Sequence, residues 1–106
     1  MELKEYAENL GLDENDFKEL TSLFIETTKS DLEKLKSAIE TKDFTKAKEA
    51  SHSIKGAAGN LGFMDIWEAA SESEKASDNQ DKNALKQYYY TILEKTEKLH
   101  GLTDNG

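Results

Sequence analysis

The chain has 106 residues, the length of one domain, and its 36% hydrophobic and 34% charged residues suit a small helical bundle with narrow apolar stripes. It contains no proline, which permits long uninterrupted helices, and no cysteine, which excludes a disulfide framework, thiolate catalysis and a Cys-based zinc site. A net charge of −8 argues against nucleic acid as a partner, and the longest apolar run, Leu23-Phe24-Ile25, is far too short to span a membrane.

Taken in chain order, Leu3, Tyr6, Ala7 and Leu10 fall at helical spacing and Gly11 follows as a stop, so residues 1–11 read as a short first helix. Asp13 is placed to cap the next and longest helix. There Phe17, Leu20, Phe24, Thr28, Leu32, Leu35 and Ile39 keep the 3.6-residue period as far as Thr41. Asp43 caps a third helix with Phe44, Ala47, Ala50, Ile54, Ala58 and Leu61 on its apolar side, and Gly62 ends it. The spacing of Asp65 and Glu68 predicts a capping box at the start of a fourth helix, through Ala69, Ala70, Ser73 and Ala76. Residues 77–80 read as a loop. A last helix carries Leu85, Tyr88, Tyr89, Ile92, Thr96 and Leu99 and stops at Gly101, leaving residues 102–106 as a frayed tail.

No segment shows the alternation of a strand. The expected fold is therefore all-α: one domain over residues 1–106, an antiparallel up-down-up-down four-helix bundle with the short N-terminal helix across one end. Met1-Glu2-Leu3-Lys4-Glu5 lacks the apolar core of a signal peptide. A cytoplasmic monomer that touches neither membrane nor nucleic acid is the default expectation.

The third helix is unusual because Gly56 and Gly59 lie in its interior, where each glycine costs about 1 kcal/mol relative to alanine. His52 lies about 200° around the helix from Ile54 and so points away from the apolar stripe. Lys48, Glu49, Lys55, Gly56 and Gly59 share its face, three, four or seven residues away. Imidazole is largely unprotonated at neutral pH and can act as a nucleophile without a strong base. An ammonium at Lys55 would stabilise the negative charge of a phosphoryl group. Gly56 clears room for a partner's active site, and Gly59 extends that clearing by a turn. Residues 41–63 also carry four lysines (Lys42, Lys46, Lys48, Lys55) against Asp43 and Glu49, a local +2 that leaves −10 elsewhere. This either marks where an acidic partner docks or is a chance cluster on a solvated face.

The segment His52-Ser53-Ile54-Lys55-Gly56-Ala57-Ala58-Gly59-Asn60-Leu61-Gly62-Phe63 resembles the signature of histidine-containing phosphotransfer (HPt) domains: His-x-x-Lys-Gly, five residues, then Gly. The likeness extends to Trp67, Ala70 and Glu74-Lys75-Ala76. The resemblance implies a four-helix bundle with His52 as phosphoryl acceptor, Lys55 as its charge partner and Gly56 as the access position. Lys48, Glu49 and Gly59 would belong to the partner-binding face. It further implies receiver domains of response regulators or hybrid sensor kinases as partners. These would supply the aspartate and its Mg²⁺, so that the chain needs no cofactor or metal of its own. Two residues depart from the family pattern. Ser73 stands where an apolar residue is usual, which is expected to loosen local packing, and Ser51 replaces a small apolar residue.

Two rival readings follow from the same residues. Glu49-x-x-His52 and Glu97-x-x-His100 are paired as in di-metal carboxylate bundles, but Glu49 and His52 lie opposite the apolar stripe and no further glutamate faces inward to complete a shell. A non-catalytic helical interaction module is the second. An autophosphorylating kinase is not expected, since no phosphate-cradling Gly-rich loop is present.

Overall fold

The computed structural model describes residues 2–104. Five helices account for most of them: α1 (Leu3–Leu10), α2 (Glu14–Thr41), α3 (Phe44–Leu61), α4 (Met64–Asp78) and α5 (Lys82–Asp104). No strand occurs among the described residues. At about 1.5 Å per residue the 28 residues of α2 reach ~42 Å, which matches the 41 Å long axis of the molecule. The connections are too short to do anything but reverse the chain. Each of α2, α3, α4 and α5 packs on its sequence neighbour, and α5 closes the ring on α2. The result is an antiparallel bundle in which α3 and α5 are diagonal, with no helix long and apolar enough to cross a membrane among the described residues.

Helix boundaries follow local chemistry where the chain supplies it. The Asp13 carboxylate accepts from the Asn15 N–H at 3.1 Å, and that of Asp43 from the Lys46 N–H at 3.1 Å. Gly11 and Gly62 end α1 and α3 in the left-handed region, with φ of 70° and 80°. The core runs through Phe17, Leu35, Ile54, Ile66, Leu85 and Ile92, all fully buried. Leu20, expected on the inner face of α2, is instead 41% exposed. Tyr6 of α1 lies with its ring centroid 4.9 Å from that of Phe63, and Phe63 in turn packs on Phe17 and Phe24, so α1 closes the end of the bundle where α3 turns into α4.

That aromatic knot explains one departure from the expected boundaries. The capping box at Asp65 does not form: α4 begins at Met64, its N-cap residue is Phe63, and no side chain caps it. Burying Phe63 completely fixes the helix start two residues earlier than the polar signal suggests, with Phe63 rather than Asp65 in the cap position. Asp65 then sits in the first turn, where its charge favours the helix N-terminus, and pairs with Lys95 at 3.4 Å. Two further differences concern ends. Ser77 and Asp78 belong to α4, with Ser77 buried and its Oγ donating to the Ser73 carbonyl. Helix α5 runs through Gly101 to Asp104, so residues 102–104 are not frayed: Thr103 is buried and its Oγ1 donates to the His100 carbonyl. Residues 105–106 of the expected tail lie outside the described residues.

Candidate functional site on the exposed face of α3

Helix α3 turns Ala47, Ala50, Ser51, Ile54 and Ala58 inward. Because most of these are small, the helix packs closely on both neighbours and its opposite face is lifted to the surface. His52 lies there with its side chain 75% exposed. The residues on either side of it tie α3 in place. The Ser51 hydroxyl meets that of Ser73 on α4 at 2.6 Å, fully buried. The Ser53 hydroxyl donates at 2.7 Å to the nearly buried carboxylate of Asp31 on α2. His52 is thus an exposed side chain on a firmly held backbone.

One carboxylate organises the surroundings of the ring. Glu74 of α4, only 15% exposed, brings Oε1 to 3.2 Å from His52 Nδ1, and the same oxygen lies 3.7 Å from Lys55 Nζ. An ionised carboxylate can only accept, so the neutral imidazole facing it carries its proton on Nδ1. The lone pair is then on Nε2, at the far side of the ring from Glu74. The Lys55 ammonium also stands 5.4 Å from the centroid of the Trp67 ring.

The residues singled out from the sequence are not all placed as expected. Lys55 and Gly56 lie beside His52, and a methyl group built on Gly56 would meet nothing within 4 Å. Gly59 does not extend that clearing, because the Trp67 indole leans over it: a methyl group there would come within 3.1 Å of Trp67 Cδ1. Lys48 reaches across to Asp78 at 2.8 Å, and this hydrogen bond, with the charge behind it, raises the pKa of the ammonium. Two of the four lysines in the locally basic stretch are therefore answered by α4 carboxylates, and the stretch is not an open positive surface around His52. Glu49 turns the other way, into a groove of about 760 Å³ between α2 and α3 that Asp31, Lys34 and Lys46 also line. Ser73, expected to loosen packing, instead hydrogen-bonds to the other departure from the family pattern, Ser51.

Sequence reasoning missed Glu74 as a member of the site. It noted the Glu74-Lys75-Ala76 segment only as a likeness in the following helix. No local signal pointed to it: the sequence offers Glu49, three residues from His52 on α3, as the nearer carboxylate, and only the structure shows Glu49 lining the α2–α3 groove instead.

The di-metal alternative finds no support in this arrangement. His52 and Glu49 are exposed on α3 and Glu97 is exposed on the diagonal helix α5. His100 Nδ1 lies 3.4 Å from Lys29 Nζ, a cation where a second metal ligand would be needed. Among the described residues no group of three or more His, Cys, Asp or Glu side chains is placed to hold a metal ion.

Comparison with known proteins agrees with the helical bundle. No curated protein and no solved structure matches the chain. The family model described as the Hpt domain matches residues 19–99, from within α2 to the last turns of α5 and including all of α3 and α4. The chain therefore belongs to the Hpt-domain family, the histidine phosphotransfer carriers of phosphorelays, whose members interact with receiver domains of two-component systems.

Proposed function

We propose that the chain accepts a phosphoryl group on Nε2 of His52 from the phospho-aspartate of one receiver domain and delivers it to the aspartate of another. The observation that supports this most directly is the 75% exposed ring whose Nδ1 faces Glu74 at 3.2 Å, leaving the nucleophilic nitrogen turned outward. In the forward step Nε2 forms a bond to phosphorus as the bond from phosphorus to the aspartate oxygen breaks, and the carboxylate leaves as an anion. The proton on Nδ1 stays where it is. Positive charge that develops on the ring is stabilised by Glu74, as a buried carboxylate stabilises an imidazolium elsewhere. Lys55 opposes the negative charge of the phosphoryl oxygens. Return transfer reverses the same bonds.

Gly56 acts by leaving the ring's approach unobstructed. In this scheme the receiver holds the Mg²⁺, and the transfer asks neither a nucleotide nor a metal of the chain itself. Orientation of two docked surfaces takes the place of an enclosed pocket.

The test is transfer from a panel of phosphorylated receiver domains with Mg²⁺, using the parent protein and His52→Gln side by side. Acid-labile label on the parent that is lost in the variant is the expected result. Label on both proteins alike overturns His52 as the acceptor, and no label on a folded parent from any receiver favours a module that binds without chemistry.

A further inference from the structure

We propose that Trp67, seated on Gly59, is a positioning residue for Lys55: its indole holds the ammonium beside His52 and Glu74 before the phosphoryl group arrives. This inference rests on the carrier function proposed above and adds a residue to it.

A lysine three residues from His52 starts on the correct face, but its four-carbon stem leaves the head free to sweep a wide arc. The contact with Glu74 Oε1, at 3.7 Å, is too long for a good hydrogen bond and restrains the head only by charge. The ring of Trp67, 5.4 Å from Nζ, supplies the second restraint. The indole has its own seat. A methyl group at Gly59 would come within 3.1 Å of Cδ1, so that glycine permits the close approach of this large side chain. Trp67 remains 36% exposed, more than a residue recruited only for the core would be. Glycine and tryptophan thus form a complementary pair one turn beyond Lys55. Together they give Lys55 a resting place within reach of the acceptor, where it also offsets the charge that Glu74 would present to an incoming anion.

When Nε2 takes the phosphoryl group, the ammonium exchanges Glu74 for phosphoryl oxygens and keeps its place beside the Trp67 ring, so that the contact still acts in the transition state. The alternative is that Trp67 merely packs α4 on α3, and the two differ in whether the effect of Trp67 requires Lys55.

The experiment uses phosphoramidate as a receiver-independent donor: its P–N bond breaks, ammonia leaves after protonation by solvent, and His52 Nε2 gains the phosphoryl group. Trp67→Leu is expected to lower the rate of acid-labile labelling about threefold, the size of an exposed cation–π contact, and Trp67→Phe to recover part of it. In a Lys55→Ala background the same Trp67→Leu change should have no further effect. An equal loss in both backgrounds, or no loss in either, overturns the positioning role. Equal labelling of parent and His52→Gln defeats the carrier reading instead. Trp67 is the sole tryptophan, so its emission gives a readout independent of phosphorylation. Lys55→Ala should change that emission at unchanged helicity, and identical spectra overturn the contact itself.

Discussion

Ser51 and Ser73 join α3 to α4 through a fully buried hydroxyl–hydroxyl hydrogen bond of 2.6 Å, and each immediately precedes a member of the site, His52 and Glu74. Both pairs are 22 residues apart in sequence. The buried bond therefore fixes the register that puts the Glu74 carboxylate against the imidazole. A one-residue slip between the helices would break the bond and turn Glu74 away by about 100°.

The pair makes an asymmetric prediction for stability. Ser51 Oγ also donates to the Ala47 carbonyl at 2.8 Å, so the hydrogen between the two hydroxyls comes from Ser73. Ser51→Ala removes the acceptor and leaves a buried donor unmatched, at a cost of about 1–3 kcal/mol. Ser73→Ala leaves Ser51 bonded to its own helix and should cost about 1 kcal/mol. Urea denaturation of the two single variants and the double variant measures this. Equal single costs that simply add would show that the hydroxyls act independently.

How much of this was legible in the sequence depends on whether the cause was local. Asp13, Asp43, Gly11 and Gly62 announce the limits of α1, α2 and α3 because capping and left-handed turns act within a few residues. His52, Lys55 and Gly56 share a face for the same reason: helical geometry alone puts them there. Phe63 overrides the polar signal at Asp65 because its burial is decided by Tyr6, Phe17 and Phe24, which arrive from elsewhere in the chain. Gly101 fails as a stop because the buried Thr103 rewards continuing the helix. Glu74 and Trp67 were invisible as site residues since periodicity gives the inward face of α4 but not its register against α3.

The aromatic knot should dominate stability at the α1 end. Phe63 is fully buried and its ring centroid lies within 5.8 Å of those of Tyr6, Phe17 and Phe24. Phe63→Ala is expected to cost about 3–5 kcal/mol, through lost burial and the cavity left behind. Thermal unfolding followed by circular dichroism checks it. A loss below 1 kcal/mol would mean that α1 collapses into the space and that the knot is not what sets the α3–α4 turn.

Glu74 is predicted to set the tautomer of His52. In the parent the ring proton should reside on Nδ1, facing the carboxylate oxygen at 3.2 Å. Glu74→Gln keeps an amide oxygen able to accept that proton, whereas Glu74→Ala removes the acceptor. The alanine variant should shift the ring toward the Nε2–H form and slow transfer about tenfold, equivalent to ~1.4 kcal/mol. The glutamine variant should lose less. Ring nitrogen chemical shifts at pH 8 report the tautomer directly, and initial rates from a phosphorylated receiver report the consequence. An unchanged tautomer in Glu74→Ala would remove Glu74 from the mechanism, however close it lies.

Gly56 separates the demands of the helix from those of the site. It is a glycine in the interior of an 18-residue helix, and a methyl group added there would touch nothing within 4 Å. Gly56→Ala should therefore stabilise the protein by up to about 1 kcal/mol, the difference in helix propensity, while transfer changes little. Gly56→Glu should also fold, but it places a long anionic side chain one turn from His52, in the path of a docked receiver and of an anionic group. Transfer is expected to fall at least about tenfold, or ~1.4 kcal/mol in the barrier, with helicity retained. Melting temperatures and transfer rates measured on the same samples decide the matter. A glutamate variant that transfers like the parent would show that the opening at Gly56 has no part in access to the ring, and that the glycine serves some other need of α3.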